Sequence, residues 1–386
     1  MTKYIFLCGL IFFTSLCFSQ FRIDADFAIT PTSFSPDTSV IRNTNTNYRG
    51  DDPFHIFRAE IFGRYAMSEM FDVNANALYD INAGNFSRIQ KKEFRLCGLF
   101  VTGHFDSVFN LRYGKIPTPI GSFPSRRFAY DNTLIGEPLM YSYKTPLGGN
   151  FALNDSALFF NRNNFIQGVA PIYEAYWNEG FSAFGSMSGI RWNVAFTKNS
   201  LSFPKTKRSY GNQIAGRIGT NGEDINVGIS AGVGSYLQSG KNLFNSTKVE
   251  NVKQNLIGAD AHYTYWRYEF LGEILLSTWD APLTTEKKLK TTSFFGEGRY
   301  QIKGNIWLTA RAEQLTYNLI DSSGTKTKWG YDVQRLEAGI RYTFSSTLIK
   351  GVWQHTILST KPTETLLDIY AVQIVFRWED IFKSGQ

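Results

Sequence analysis

The sequence predicts a transmembrane antiparallel β-barrel of about sixteen strands, and three observations carry that expectation. An export signal opens the chain. Segments of about ten residues alternate apolar and polar side chains, and the connections between them run short, then long, then short again.

The signal fixes the compartment. Lys3 supplies a positive charge, and residues 4–13 form an apolar run within the range of a signal core and too short to span a bilayer. Small residues at 15–19 offer a cleavage site near Ser19, so 1–19 reads as a signal peptide for the Sec pathway and 20–386 as one barrel domain. Bulky Leu16 precedes Cys17, where lipid attachment wants a small residue. With Cys8 and Cys17 removed, Cys97 stands alone and no intramolecular disulfide is available. Among Phe94, Leu96, Leu99 and Phe100 it reads as a small wall residue rather than a nucleophile.

Composition separates this chain from a helical membrane protein. Mean hydropathy is -0.22, and no apolar stretch beyond the signal reaches the roughly 18 residues a membrane helix needs. Yet 16% of residues are aromatic, with 33 Phe, 20 Tyr and 33 Gly. A barrel wall reconciles the two, because only every second strand residue must be apolar while aromatic groups collect at the membrane interfaces. The net charge of +7, or +6 without Lys3, is too diffuse for a nucleic-acid partner, which export also excludes.

The expected strands are 21–30, 54–67, 73–81, 92–103, 108–116, 168–178, 189–197, 211–219, 224–236, 252–264, 267–279, 292–302, 305–318, 330–344, 348–358 and 366–378. Gly185 and Gly189 read as turn and strand glycines around Met187. Along 306–313, Ile306, Leu308, Ala310 and Ala312 face one way and Thr309, Arg311 and Glu313 the other. Leu336, Ala338, Ile340, Tyr342 and Phe344 oppose Arg335, Glu337, Gly339, Arg341 and Thr343 in the same manner. A soluble sandwich would turn the apolar face inward, but so many strands of membrane-crossing length favour a barrel wide enough for an aqueous lumen. Glu297, Arg299, Arg311, Glu313, Arg335, Glu337 and Arg341 are then lumen-facing, in hydrated ion pairs of roughly 0 to 1 kcal/mol each.

Residues 117–167 form the longest connection, the third on the external side. Its Pro and Gly bends and its Phe123, Phe128, Tyr130, Leu139, Met140, Tyr141 and Tyr143 predict a loop that folds into the barrel and narrows it. The charges at and within it, Arg112, Lys115, Arg126 and Arg127, are the candidate constriction residues. Arg126 and Arg127 also fit a solvated loop tip, or a site that binds surface lipopolysaccharide phosphates. The loop's net charge is only +1, from Arg126, Arg127, Lys144 and Arg162 against Asp131, Glu137 and Asp155.

The run Asn110-Leu111-Arg112-Tyr113-Gly114-Lys115-Ile116-Pro117 followed by Pro119-Ile120-Gly121 resembles the phosphate-selective O- and P-type porins and their porin-like relatives in Bacteroidetes. That resemblance implies a sixteen-stranded barrel whose third loop folds inward with basic groups along the route. The family's arginine rows and lysine cluster are not recognisable, so its substrate does not carry over.

Four dispersed histidines without HExxH, CxxC, GxSxG or a phosphate loop argue against an enzyme and against any cofactor or metal. His104 beside Asp106 and Ser107 reads as a turn. The expectation is an outer-membrane channel of a Gram-negative bacterium, set in lipid and passing small hydrophilic solutes or ions, with a homotrimer as a candidate assembly and the oligomeric state left open by the sequence. The alternative is a non-conducting barrel serving as scaffold or accessory subunit of a surface export or attachment complex.

Overall fold

A computed structural model describes residues 20–34, 54–83, 90–164, 166, 168–173, 178–202, 211–237, 251–322, 324–359 and 365–384. The expected signal peptide and most of the expected external loops at 31–53 and 82–91 lie outside the described residues. Sixteen antiparallel strands close into one barrel, in sequence order around the wall. They are β1 (Gln20–Phe34), β2 (Phe57–Ala66), β3 (Phe71–Ala83), β4 (Gln90–His104), β5 (Asn110–Ile116), β6 (Asn178–Met187), β7 (Ile190–Lys198) and β8 (Asn212–Thr220), continuing with β9 (Ile225–Ser235), β10 (Lys253–Tyr265), β11 (Tyr268–Asp280), β12 (Lys288–Lys303) and β13 (Ile306–Tyr317). A separate hairpin, β14 (Leu319–Ser322) with β15 (Thr325–Lys328), stands in the connection to β16 (Val333–Phe344), which β17 (Thr347–Leu358) and β18 (Thr365–Ser384) follow. Ala25 of β1 lies opposite Ile61 of β2 on one side and Trp378 of β18 on the other, so the sheet has no edge.

The connections sort by end. At the turn end they are brief, as at Ser188-Gly189, whose positive φ of 52° and 77° fit a type I′ hairpin turn. The long ones gather at the opposite, loop end.

Two-residue periodicity divides the wall. In β13, Leu308 opens outward while Thr309, Arg311 and Glu313 are buried inside. Ile229 keeps 58% of its surface exposed and Ile274 46%, and comparable Leu, Ile and Phe residues occupy the outer face on all sides. So continuous an apolar surface needs lipid against it. Tyr263, Tyr265, Trp266, Tyr268 and Phe270 form part of an aromatic belt at the turn end, with the Tyr268 and Tyr300 rings 4.8 Å apart. Arginine at Ile274, midway along β11, is expected to cost about 2 to 4 kcal/mol, measured as a shift in the urea midpoint of protein folded in bilayers.

Two expectations need correction. The expected strand at 168–178 is not found over its described residues 168–173; β6 begins at Asn178. The apolar run Val169, Ala170, Ile172 is buried inside the barrel, and its backbone pairs within the long loop itself, Gly168 N donating to Thr145 O at 2.7 Å and Val169 N to Leu147 O at 2.8 Å. The last strand does not stop at Trp378 but continues to Ser384, because the start of β1 needs a partner: Phe21 lies opposite Ser384 across a bulge, and Arg22 pairs with Asp380 at 3.1 Å. The connection left between the expected strands 305–318 and 330–344 contains the β14–β15 hairpin.

Candidate functional site

The connection between β5 and β6 runs from 117 to 177, and its described part occupies the lumen. It holds a 3-10 turn at Phe123–Arg126, a short helix at Leu139–Ser142 and a longer one at Asp155–Asn163. Asn154 caps the longer helix, its side chain accepting from Ala157 N at 2.9 Å, with Asp155 in the first turn and Arg162 in the last to suit the helix dipole.

The second half of the loop makes an apolar cap at the loop end. Leu147, Leu153, Leu158 and Val169 pack with wall residues Tyr236, Trp279, Leu315, Val333 and Leu358 and with Trp329 beside the hairpin. The Trp279 and Trp329 rings meet edge to face at 5.9 Å. Each such buried side chain contributes about 1.5 to 3 kcal/mol, enough to hold the loop inside once its polar groups are matched.

That matching falls to the first half. Glu273 of β11 accepts at one carboxylate oxygen from Ser122 N (2.6 Å), Ser122 Oγ (2.9 Å) and Phe123 N (2.6 Å), and at the other from the Tyr141 hydroxyl. Burial pushes the Tyr141 hydroxyl well above its usual value, so it remains a donor. Gly121 sits at φ +69°, and a Cβ there would lie 2.1 Å from the Tyr141 hydroxyl and 2.6 Å from Glu273. Gly121→Ala therefore both strains the backbone and breaks the anchor; the expected outcome is a folded barrel with faster protease cleavage in the loop.

Further anchors encircle the lumen. Ala129 N donates to Glu60 at 3.3 Å and Leu139 N to Glu313 at 2.5 Å. The fully buried Lys350 donates to Ala129 O (2.5 Å) and Leu134 O (3.1 Å). Arg311 reaches Gly136 O at 2.8 Å, and Arg335 reaches Glu137 O. Arg377 pairs with Asp26 (2.8 Å) and with loop residue Asp131 (3.4 Å), lying 3.9 Å over the Tyr130 ring.

The lumen-facing charges read from the strands all point inward, but most are not hydrated. Arg311 contacts Glu297 (3.3 Å), Glu313 (2.9 Å) and Glu337, with its side chain and those of Glu313 and Glu337 fully out of solvent. Arg335 pairs with Glu313 at 2.8 Å, and Arg299 joins Glu297 (2.6 Å) to Glu269 (2.9 Å). The folded-in loop covers these groups, so the small energies of surface pairs do not apply and each charge depends on its partner. Arg341 keeps more exposure, its guanidinium 5.5 Å from the Tyr130 ring.

The four constriction candidates separate. Arg112 faces the lumen, between the rings of Phe100 (4.8 Å) and Phe184 (4.6 Å). Arg126 faces it from the loop and pairs with Glu269 at 3.2 Å. Arg127 is buried, its guanidinium 5.0 Å from the Phe128 ring and bonded to Asn76 at 3.4 Å, and so reaches neither a loop tip nor the open space. Lys115 is misassigned as a pore charge: it lies opposite Leu99 on the outer face, and its ammonium bonds to Leu96 O. Cys97 is buried beside Leu78 and loop residue Tyr173. His104 pairs with Asp72 at 3.1 Å, while Asp106 caps the turn through Val108 N and Phe109 N.

Sequence reasoning missed Glu60, Glu273, Lys350 and the Arg217–Asp260 pair (2.5 Å). Their signal was available, since each charged residue alternates with apolar neighbours on its strand, as Glu60 does between Ala59 and Ile61 and Glu273 between Gly272 and Ile274. A cavity of about 520 Å³ remains between the loop's entry, residues 117–126, and the inner wall of β6 to β10, where Arg191, Asn193, Arg217, Asp260 and His262 line it.

No protein-family profile matches the chain, and no curated protein does. Solved structures do. The barrel is similar to an anion-selective porin from Comamonas acidovorans (TM-score 0.57, 11% identity, covering 93% of this chain and 100% of that one). It is similar also to OmpF of Salmonella typhi (TM-score 0.55, 10% identity, 93% and 97%) and to the outer-membrane channel DcaP of Acinetobacter baumannii (TM-score 0.52, 9% identity, 94% and 98%). At these identities the likeness is one of fold.

Proposed function

We propose that this chain is an outer-membrane channel of porin type that lets small hydrophilic solutes or ions diffuse through a lumen narrowed by its third loop. One observation carries the reading: the closed wall is apolar outside and charged inside, and the folded-in loop leaves a polar cavity of about 520 Å³ beside it. The porin neighbours share the barrel fold. Purified protein in voltage-clamped planar bilayers is expected to give stepwise ionic currents; a barrel that inserts and stays silent would reject the channel.

A second reading has its own support. The loop-end half of the lumen is packed with Trp, Leu and Val, and Phe151, Phe160 and Leu319 stand exposed near it, which suits a non-conducting barrel that docks a surface partner. Silence in bilayers together with fixed-stoichiometry co-purification of a lipoprotein would favour it.

A further inference from the structure

The cavity beside the loop has an uneven charge. Its lining carboxylate is already engaged, Arg217 gripping Asp260 through two bonds of 2.9 and 2.5 Å, and lining residues Arg126 and His262 both pair with Glu269 behind the wall. Two guanidiniums are not so neutralised. Arg191, on the cavity wall, bonds to the uncharged amide oxygen of Asn221. Arg112 stands behind Phe184, which also lines the cavity, and is held by two rings. Among the described residues, no carboxylate forms an ion pair with either. Register brings these groups together across adjacent strands: Arg112 faces Ser182, Phe184 faces Asn193, and Asn193 faces Arg217.

We propose that this cavity is a binding subsite for small organic anions, with Arg191 as its principal contact and Arg112 setting the local potential. The proposal rests on the channel reading above and names the class of solute that channel favours. Arg191 spends its Nε edge on Asn221, so the end-on pair of terminal nitrogens is the fork it offers to a carboxylate or a phosphate, and the ring of Phe184 gives the solute an apolar surface beside it. The volume falls within the range of small-molecule pockets, so one solute of modest size fits. Low-dielectric walls, which the apolar strands and packed loop provide here, strengthen the attraction.

The test is reversal potentials in a potassium chloride gradient, for the unaltered protein, Arg191→Gln, Arg112→Gln and the outer-face control Lys198→Gln. Block of the chloride current by potassium gluconate and by inorganic phosphate is read alongside. The expected result is a chloride-to-potassium permeability ratio above one. It should fall about four-fold in Arg191→Gln, the size of one hydrated charge at about 5 Å, with block weakened similarly and Lys198→Gln unchanged. Whichever blocker loses more in Arg191→Gln identifies carboxylate or phosphate as the preferred group. A conducting protein with a ratio below one, or with ratio and block indifferent to both arginine substitutions, overturns the subsite and leaves the channel standing. A silent barrel overturns both. If a variant does not fold, the ratio and the block of the unaltered protein decide the matter alone.

Discussion

Glu273→Ala is expected to destabilise the barrel by about 3 kcal/mol and to raise its single-channel conductance. The carboxylate accepts from two backbone N–H groups and two hydroxyls of the loop, and each buried donor left without an acceptor costs about 1 to 3 kcal/mol. Water entering the vacated space offsets part of the sum, which keeps the total near the cost of one or two donors. Because the bonds fasten residues 122–141 to β11, their loss frees the first half of the loop while the apolar cap still holds the second. Urea titration in detergent measures the first effect and planar-bilayer recording the second. An unchanged urea midpoint would show that the apolar cap alone fixes the loop.

Arg311→Met is expected to cost more, about 3 to 5 kcal/mol, because it leaves three buried carboxylates, Glu297, Glu313 and Glu337, with only Arg299 and Arg335 to balance them in a space that excludes solvent. The effect is electrostatic rather than a matter of volume, so adding Glu337→Gln to the variant should recover a substantial part of the loss. The heat-induced mobility shift on gels reports both proteins. Equal stability of the single and double variants would mean that packing, not charge, makes Arg311 necessary.

The barrel was legible in the chain because a strand's period is two: placing Leu308 outside and Arg311 inside follows from counting alone. The loop was legible as an inward-folding segment from its length and aromatic content. What the sequence concealed are facts of three-dimensional contact. Val169 to Ile172 looks like strand material, yet its apolar side chains fill the barrel instead of its wall. Lys115 was grouped with Arg112 by nearness in sequence, although their parity sets them on opposite faces. The hydrated ladder expected around Arg311 is dry because a loop residue 175 positions earlier, Gly136, covers it and accepts from it through its carbonyl oxygen. Asp26 shows the same limit, since its partner Arg377 meets it only when the first strand closes on the last.

The central claim is that the third loop lies inside a closed, lipid-facing barrel. Arg126 and Arg127 are the trypsin sites that report it, since both are held against the inner wall by Glu269 and Asn76. Mass mapping of trypsin fragments from the folded protein in detergent is expected to show no cut at either residue, and prompt cutting at both after heat unfolding. Rapid cleavage at Arg126 or Arg127 in a barrel that still shows its folded gel mobility would contradict the account.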